Sequence, residues 1–477
     1  MKRRTKIIAT IGPACDDEDV LKGMIEAGMD VARINMSHGS IEEGLERFHR
    51  IRKLSEECGR RVGILVDLPG PKVRCATFGD EYVRLQAGST VELRVGNESS
   101  TAEVIEVNYD GLVTDVQIGD RLNMGDGRAI LEITEKQPDK LLANVAHGGK
   151  ISGRPGIHVP SDRLRINTPT PDDLEILDAF VEVGVDMVAL SFVRSAHEIR
   201  RVGTEPHPRG PLIVAKIETR AAVENLEGII EASGAVMVAR GDLGNEMSLE
   251  DLPVLQKDII SQCIALGRPA ITATQMLESM IDAPAPTRAE ASDVANAVWD
   301  GSSVVMLSGE TAVGADPINV VRTMGRIARR ADEEFDHRGW ARRIAELRMT
   351  SGADTNASVT DAMTMAAWRA TEELGVKTIV AVSGSGFTVR SMARFRPEAN
   401  ILGFSTDLRT VNQLSLSWGT IPVALPSHVT SNEEMAAEAV RTAKDLGHVV
   451  TGELVAVLAG ASTSSQSANV LRLVRVP

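Results

Sequence analysis

Polar residues, with one glycine among them, stand at the downstream ends of several short apolar runs. They are Arg33, Asn35, Ser37 and His38; Asp67; Lys216 and Glu218; Arg240, Gly241 and Asp242; Thr274; and Ser308 with Glu310. A charge at the end of a buried strand is costly unless it faces a polar site. Taken singly, each reads more readily as a solvated loop residue or a helix-start group than as part of a site. Together, on the same end of many strands, they read as one site. Lys216 and Glu218 are two residues apart, so on a strand both point to one side. Glu218 and Asp242 offer a carboxylate pair to a hard divalent cation, Mg²⁺ or Mn²⁺, which completes its shell with water and substrate phosphate. Neither of those two strand ends carries His or Cys, so a softer metal lacks ligands there. An ammonium, arginines and a metal around one point suit phosphoryl transfer, which needs positioning and charge neutralisation. Arg240-Gly-Asp-Leu-Gly reads as a turn into a helix, whose free N–H groups suit a carboxylate or phosphate.

The elements that would position these residues recur: an amphipathic helix, a glycine stop, then a β-branched run, as in Ile25-Glu-Ala-Gly-Met-Asp-Val-Ala-Arg-Ile. Glycine past a helix supplies the left-handed cap, and near-continuous apolar runs suit strands buried on both faces. Such runs fall at 5–12, 31–37, 62–68, 187–193, 212–218, 235–240, 269–274 and 303–309. Strands alternating with helices in this way predict an α/β fold, a closed (β/α)8 barrel with its active site at the strand C-termini. An open doubly wound sheet competes, but its glycine-rich dinucleotide fingerprint is missing after the first run. Between 70 and 161 the helical period gives way to short alternating runs, read as an inserted all-β lid. A polar, Arg-rich break near 336–355 precedes another α/β unit, with strands near 376–383, 400–405, 420–425, 453–460 and 469–476. The division expected is therefore 1–69 and 162–345 for the barrel, 70–161 for the lid and 346–477 for a C-terminal domain.

The 477 residues carry 52 basic and 66 acidic side chains, a formal net charge of −14. That acidity argues against nucleic-acid or anionic-membrane partners, which reward clustered Lys and Arg. Aromatics amount to 3% of the chain, too few for base-stacking platforms. Cys15, Cys58, Cys75 and Cys263 are widely spaced, which excludes a Cys-rich zinc site and points to a cytoplasmic setting. The basic start lacks the apolar length of a signal peptide, and no run approaches the roughly 20 residues of a membrane span.

Several longer motifs resemble the pyruvate kinase family. They are Thr5-Lys-Ile-Ile-Ala-Thr-Ile-Gly-Pro, Ala32-Arg-Ile-Asn-Met-Ser-His-Gly, Ala215-Lys-Ile-Glu, Ala239-Arg-Gly-Asp-Leu-Gly, Ala273-Thr-Gln-Met-Leu-Glu-Ser-Met and Met306-Leu-Ser-Gly-Glu-Thr-Ala, with a further one starting at Pro286. The resemblance spans nearly the whole chain. It implies phosphoryl transfer from phosphoenolpyruvate to ADP, giving pyruvate and ATP, in a cytoplasmic homotetramer. By that resemblance Glu218 and Asp242 hold Mg²⁺, and Lys216 stabilises the phosphoryl group in flight. Arg33 and Arg74 touch the same group. Pro13, Asn35, His38 and Arg74 border the nucleotide, and the backbone of Ala239, Arg240, Gly241 and Asp242 receives the substrate carboxylate. Thr274 matches the position linked to protonating the enolate, through water, since a free Thr hydroxyl is a poor acid.

The departures from the family pattern carry information too. Leu68, Pro69 and Lys72 stand where potassium-requiring relatives have Thr, Lys and Glu. Lys72, near Asn35, Ser37 and Asp67, resembles the potassium-independent type, so no K⁺ requirement is expected. Arg154 keeps a lid-hinge basic residue only approximately, and Glu43 replaces an aromatic beside the nucleotide. Ser383, Ser385, Gly386 and Thr388 resemble an effector phosphate loop. The facing loop from Gly460 lacks the Trp and Arg used for fructose 1,6-bisphosphate, so an effector with one phosphate, a sugar monophosphate or AMP, is expected. Two other readings stay open: a Mg²⁺-dependent lyase or aldolase acting on pyruvate or oxaloacetate, with Lys216 as a Schiff base, and a catalytically silent metabolite sensor.

Overall fold

In the computed structural model, residues 3–125, 127–203, 209–349, 355–426, 432–460 and 468–477 are described. Eight parallel strands close into a barrel: Lys6–Ile11, Val31–Asn35, Gly63–Asp67, Met187–Leu190, Leu212–Ile217, Ala235–Ala239, Ala270–Ala273 and Val304–Leu307. They are called barrel strands 1 to 8 below. Strand 1 pairs with both strand 2 and strand 8, which closes the ring.

The alternation of side chains sorts each strand into two faces. Ile8, Val31, Leu65, Met187, Val214, Met237, Ile271 and Met306 fill the barrel interior. Their neighbours Ile7, Ala9, Ala32, Ile64, Val66, Val188, Ala215 and Val236 face the outer helices. Both faces are apolar, which is why these strands read as unbroken hydrophobic runs. Continuing the interior rows of strands 1, 2, 3 and 5 by two residues reaches Thr10, Arg33, Asp67 and Lys216. The barrel interior therefore changes from apolar to polar at one end, the end where the strands finish.

Between barrel strands 3 and 4 the chain builds a six-stranded, curled half-barrel sheet and a separate two-stranded ribbon. Its own core holds Val91, Leu93, Leu131, Ile133, Leu141 and Ala143, the inward members of the alternating runs. One short helix, Leu112–Asp115, interrupts the otherwise all-β insertion. The chain leaves the barrel at Gly70, whose φ of +66° and 2.9 Å approach of a notional Cβ to Ser191 exclude other side chains.

The Arg-rich stretch after the barrel is a helix, His337–Met349, rather than a break. Its apolar residues Trp340, Ala341 and Ile344 are buried at helical spacing, hidden in sequence among arginines. The C-terminal sheet runs Thr420–Ala424, Asn400–Ser405, Thr378–Val382, Leu454–Ala459, Val470–Arg475, with only the last strand antiparallel. Two buried charges lock this unit onto the barrel. Arg396 donates to the carbonyls of Val298 (3.0 Å) and Ser302 (2.6 Å) while its guanidinium lies over Phe335, Trp340 and Trp418. Fully buried Asp332 accepts from Arg4 N (2.8 Å), Thr5 N (2.9 Å), Thr5 Oγ1 (2.8 Å) and Trp418 Nε1 (3.3 Å). Asp332→Ala strands four donors at this junction. It should lower the first urea-unfolding transition, followed by tryptophan fluorescence, by about 3 kcal/mol; a loss below about 0.5 kcal/mol would remove Asp332 from the junction.

Candidate active site

At the polar end of the barrel, Lys216 is the centre of a small buried network. Its Nζ lies 2.8 Å from Glu218 Oε1, 3.3 Å from Asp67 Oδ1 and 2.7 Å from Ser191 Oγ. Arg33 donates from Nε to Asp67 Oδ2 (2.7 Å) and from Nη1 to Thr10 Oγ1 (3.0 Å). The register makes this possible: Arg33 pairs with Thr10 on one side, and Asn35 pairs with Asp67 on the other. Burial opposes the charge on Lys216, but Asp67, Glu218 and Asp242 outweigh it and hold the ammonium above the ordinary lysine range. Burial likewise works against the Asp67 carboxylate, yet Lys216 and Arg33 keep it below the usual range. Glu218 behaves differently. Burial, with repulsion from Asp242, raises it to about 7 against the opposing pull of Lys216.

Glu218 accepts the Phe192 N–H at Oε2 (2.7 Å), while the Lys216 contact at Oε1 is an ion pair without hydrogen-bond alignment. Glu218 therefore keeps Oε1 free of hydrogen bonds, and Asp242, half-buried on the next strand end, adds repulsion between the two carboxylates. Among the described residues no three or more His, Cys, Asp and Glu gather as a ready-made metal cluster. The donor set fits a hard cation completed by substrate and water.

The helix Arg240–Glu246 leaves barrel strand 6 directly. The Gly241 N–H donates to Thr274 Oγ1 (2.9 Å), and that hydroxyl donates to the Ala273 carbonyl (2.6 Å). Thr274, Gln275 and Phe192 all have φ between +54° and +66°, sparsely populated values for residues with a Cβ. Backbone strain thus collects at the ends of strands 4 and 7. Arg240 has no free charge to offer: it pairs with Asp293 (2.8 Å) and donates to the carbonyls of Ala273 (3.2 Å) and Thr274 (2.6 Å).

A cleft of about 300 Å³ opens between barrel and insertion, lined by His38, Lys72, Arg74, His158, Phe192 and Asp242 among others. Lys72 donates to Ser37 Oγ (2.7 Å), and Ser37 N–H donates to Asn35 Oδ1 (3.2 Å). Desolvation and the charge of Lys216 pull the Lys72 ammonium below the ordinary range. Desolvation, then Lys72, Arg74 and Arg33, lowers His38, so it is neutral at pH 7. Arg74 reaches the Arg154 carbonyl at 3.4 Å. Pro13 opens a 3-10 turn just past strand 1 and is exposed.

Other sequence candidates have structural partners. Glu43 closes the capping box of the helix Ile41–Glu57 with Ser40. Arg154 bonds Asn97 within the insertion. Glu310 is fully buried and accepts from Leu277 N (3.1 Å) and Ser308 N (2.6 Å). In the C-terminal unit, Phe387 N–H donates to Ser385 Oγ (3.4 Å), Ser383 N–H is bonded to the Phe404 carbonyl (2.9 Å), Gly386 has φ +74° and Thr388 is buried. The loop facing them, 461–467, lies outside the described residues.

Thr10 and Ser191 belong to the network and are absent from the sequence candidates. Each extends an interior row by one two-residue step, Thr10 from Ile8 and Ser191 from Ala189, so the alternation itself could have found them. Glu246 could not be found that way. At the far end of the Arg240–Glu246 helix it accepts from Ser161 N (2.8 Å) and Ser161 Oγ (2.8 Å) and lies 2.7 Å from His158 Nε2. Asn123 Nδ2 reaches Asn245 Oδ1 at 3.3 Å.

Comparison with known proteins agrees with this geometry. Residues 2–321 match the family model "Pyruvate kinase, barrel domain" and residues 361–474 match "Pyruvate kinase, alpha/beta domain". A pyruvate kinase of Bacillus licheniformis is 38% identical over 476 residues, 99% of this chain and 80% of that one. The pyruvate kinase of Mycobacterium tuberculosis H37Rv is 38% identical over 484 aligned positions, covering 100% of this chain and 99% of its own. A crystal structure of a Cryptosporidium parvum pyruvate kinase superposes with a TM-score of 0.88 at 32% identity, covering 100% of this chain and 96% of that one. A closed barrel with an inserted sheet, a buried Lys–carboxylate network at its mouth and full-length similarity to these enzymes together place the chain in the pyruvate kinase family.

Proposed function

We propose that this pyruvate kinase transfers the phosphoryl group of phosphoenolpyruvate to ADP at the Lys216 network. The single observation that carries the assignment of residues is the Lys216 ammonium held charged between Asp67 and Glu218 at the barrel mouth. Such a fixed cation neutralises the charge of a phosphoryl group in flight without reorganising. Arg33, clamped by Asp67 and Thr10, is held for the same group. Glu218 and Asp242 would hold a divalent cation, Mg²⁺ or Mn²⁺. When bound, that ion supplies Lewis-acid charge to the substrate carboxylate and phosphate. The backbone of Ala239, Arg240, Gly241 and Asp242 receives the substrate carboxylate at a helix start, and Thr274 orders the water that delivers a proton to the enolate.

Residues 70–161 act as a lid over barrel segments 1–69 and 162–345, and residues 346–477 form a regulatory unit. The Glu246 contacts with His158 and Ser161 support the lid reading, because they tie the insertion to the helix that receives substrate. Closing such a lid excludes water from a reactive phosphoryl group. Pro13, Asn35, His38 and Arg74 border the nucleotide on the cleft side. Lys72, bonded to Ser37, places an ammonium where a monovalent cation would otherwise sit, and the enzyme needs no K⁺. Ser383, Ser385, Gly386 and Thr388 take an effector with one phosphate. The enzyme works as a cytoplasmic homotetramer.

The aldolase alternative needs a neutral amine at Lys216. Three carboxylates keep the proton on that nitrogen, which supports phosphoryl transfer instead.

A coupled assay for pyruvate tests the whole reading. Lys216→Met should lower kcat by about 10³-fold or more while leaving the fold intact by circular dichroism; turnover within tenfold of the parent removes Lys216 from the chemistry. Chelation should abolish turnover, added Mg²⁺ should restore it, and Glu218→Gln should weaken Mn²⁺ binding measured by electron paramagnetic resonance about tenfold or more. In sodium buffer, KCl should leave the parent rate unchanged but raise that of Lys72→Glu about tenfold or more. Strong K⁺ activation of the parent overturns the role given to Lys72.

A further inference from the structure

On the opposite side of the barrel from the cleft, a second polar cavity lies between the barrel and the C-terminal unit. It is lined by Arg268, Arg390, Arg394, Arg396 and Ser417, and no carboxylate lines it among the described residues. Arg268 comes from the barrel, just before strand 7; Arg390 and Arg394 come from the helix Phe387–Ala393 and its cap.

These guanidiniums are not equally satisfied. Arg396 is bonded to two carbonyls and stacked on aromatics, as described above. Arg268 donates to the carbonyls of Ile230 and Glu231, each at 3.3 Å. Arg394 pairs with Asp361 through one nitrogen, but its Nε has no partner. Arg390 is the exception. It is 3% exposed, donates only from Nη2 to the Ser385 carbonyl (3.1 Å), and leaves Nε and Nη1 without an acceptor. The Ser417 hydroxyl is also unpartnered. Burial first, and then the charge of Arg268, lowers Arg390 to about 9, which still leaves it charged at neutral pH.

Buried charge without a counter-charge is strongly unfavourable, and buried N–H donors without acceptors add to the cost. The unpartnered guanidinium nitrogens can only donate, the Ser417 hydroxyl can also donate, and no carboxylate faces Arg390, so the missing component is an acceptor carrying negative charge. The cavity measures about 20 Å³, room for one water-sized species and too small for a phosphate.

We propose that this cavity binds one chloride-sized monovalent anion, held by Arg390, Arg394 and Arg268. The anion bridges the barrel to the C-terminal unit. Because Arg390 also holds the Ser385 carbonyl, it stands directly behind the loop Ser383 to Thr388.

Two measurements on the full-length protein test this. In crystals soaked with bromide, an anomalous peak should stand between Arg268, Arg390 and Arg394; its absence overturns the proposal. In thermal unfolding at constant ionic strength, replacing sodium gluconate by sodium chloride should raise the Tm saturably, by a few degrees. Arg390→Met should remove that saturable rise and the bromide peak. Equal chloride dependence in the parent and Arg390→Met overturns the proposal, as does a bromide peak that survives the substitution, which marks an adventitious ion only. If Arg390→Met does not fold, the parent's bromide peak and its chloride titration, both required, decide the matter.

Discussion

Everything at the barrel mouth depends on keeping one ammonium charged while it is buried. Lys216 has water on almost none of its surface, so its charge persists only because Asp67 and Glu218 touch it and Asp242 adds to the field. Those carboxylates would in turn be unstable without cations, and Arg33 supplies the second one. The network is therefore mutually conditional. Removing a member leaves an uncompensated buried charge on another, which costs far more than the pair contributes. Partners drawn from strands 2, 3, 4 and 5 are neighbours in the sheet, and the curvature of the closed barrel turns their strand ends toward one axis.

The same constraint resolves the acidity of the chain. A protein of net charge −14 handles anions because its positive charge is concentrated where the interior rows end. Arg33, Lys72, Arg74 and Lys216 are gathered there, whereas Arg240 is neutralised by Asp293 and serves to fix the loops. The helix Arg240–Glu246 works at both ends: its first turn faces the mouth, and its last residue is bonded to the insertion through Ser161 and His158. A displacement of the insertion is thus felt by the element beside Thr274 and Asp242.

The barrel was legible in sequence because burial on both faces writes an apolar run that survives any local context. The alternating runs of the insertion were legible for a related reason, since one solvated face imposes a period of two. The helix His337–Met349 was not, because its buried Trp340, Ala341 and Ile344 are diluted by arginines and the stretch reads as polar. Among residues at the barrel mouth, Lys216, Glu218, Asp242 and Thr274 announced themselves by type and place. Thr10 and Ser191 did not, as small hydroxyls at strand ends are common and only their partners distinguish them.

The sequence by itself determined which residues reach the barrel mouth, since alternation along a strand is a local property fixed by backbone geometry. Only the tertiary structure decided what they do to one another. The upward shift of Glu218, the neutralisation of Arg240, the bond between Lys72 and Ser37 and the tie from Glu246 to the insertion depend on distances between segments far apart in the chain. Electrostatic energies change steeply over a few ångströms in a poorly polarisable interior, and no one-dimensional pattern encodes such distances.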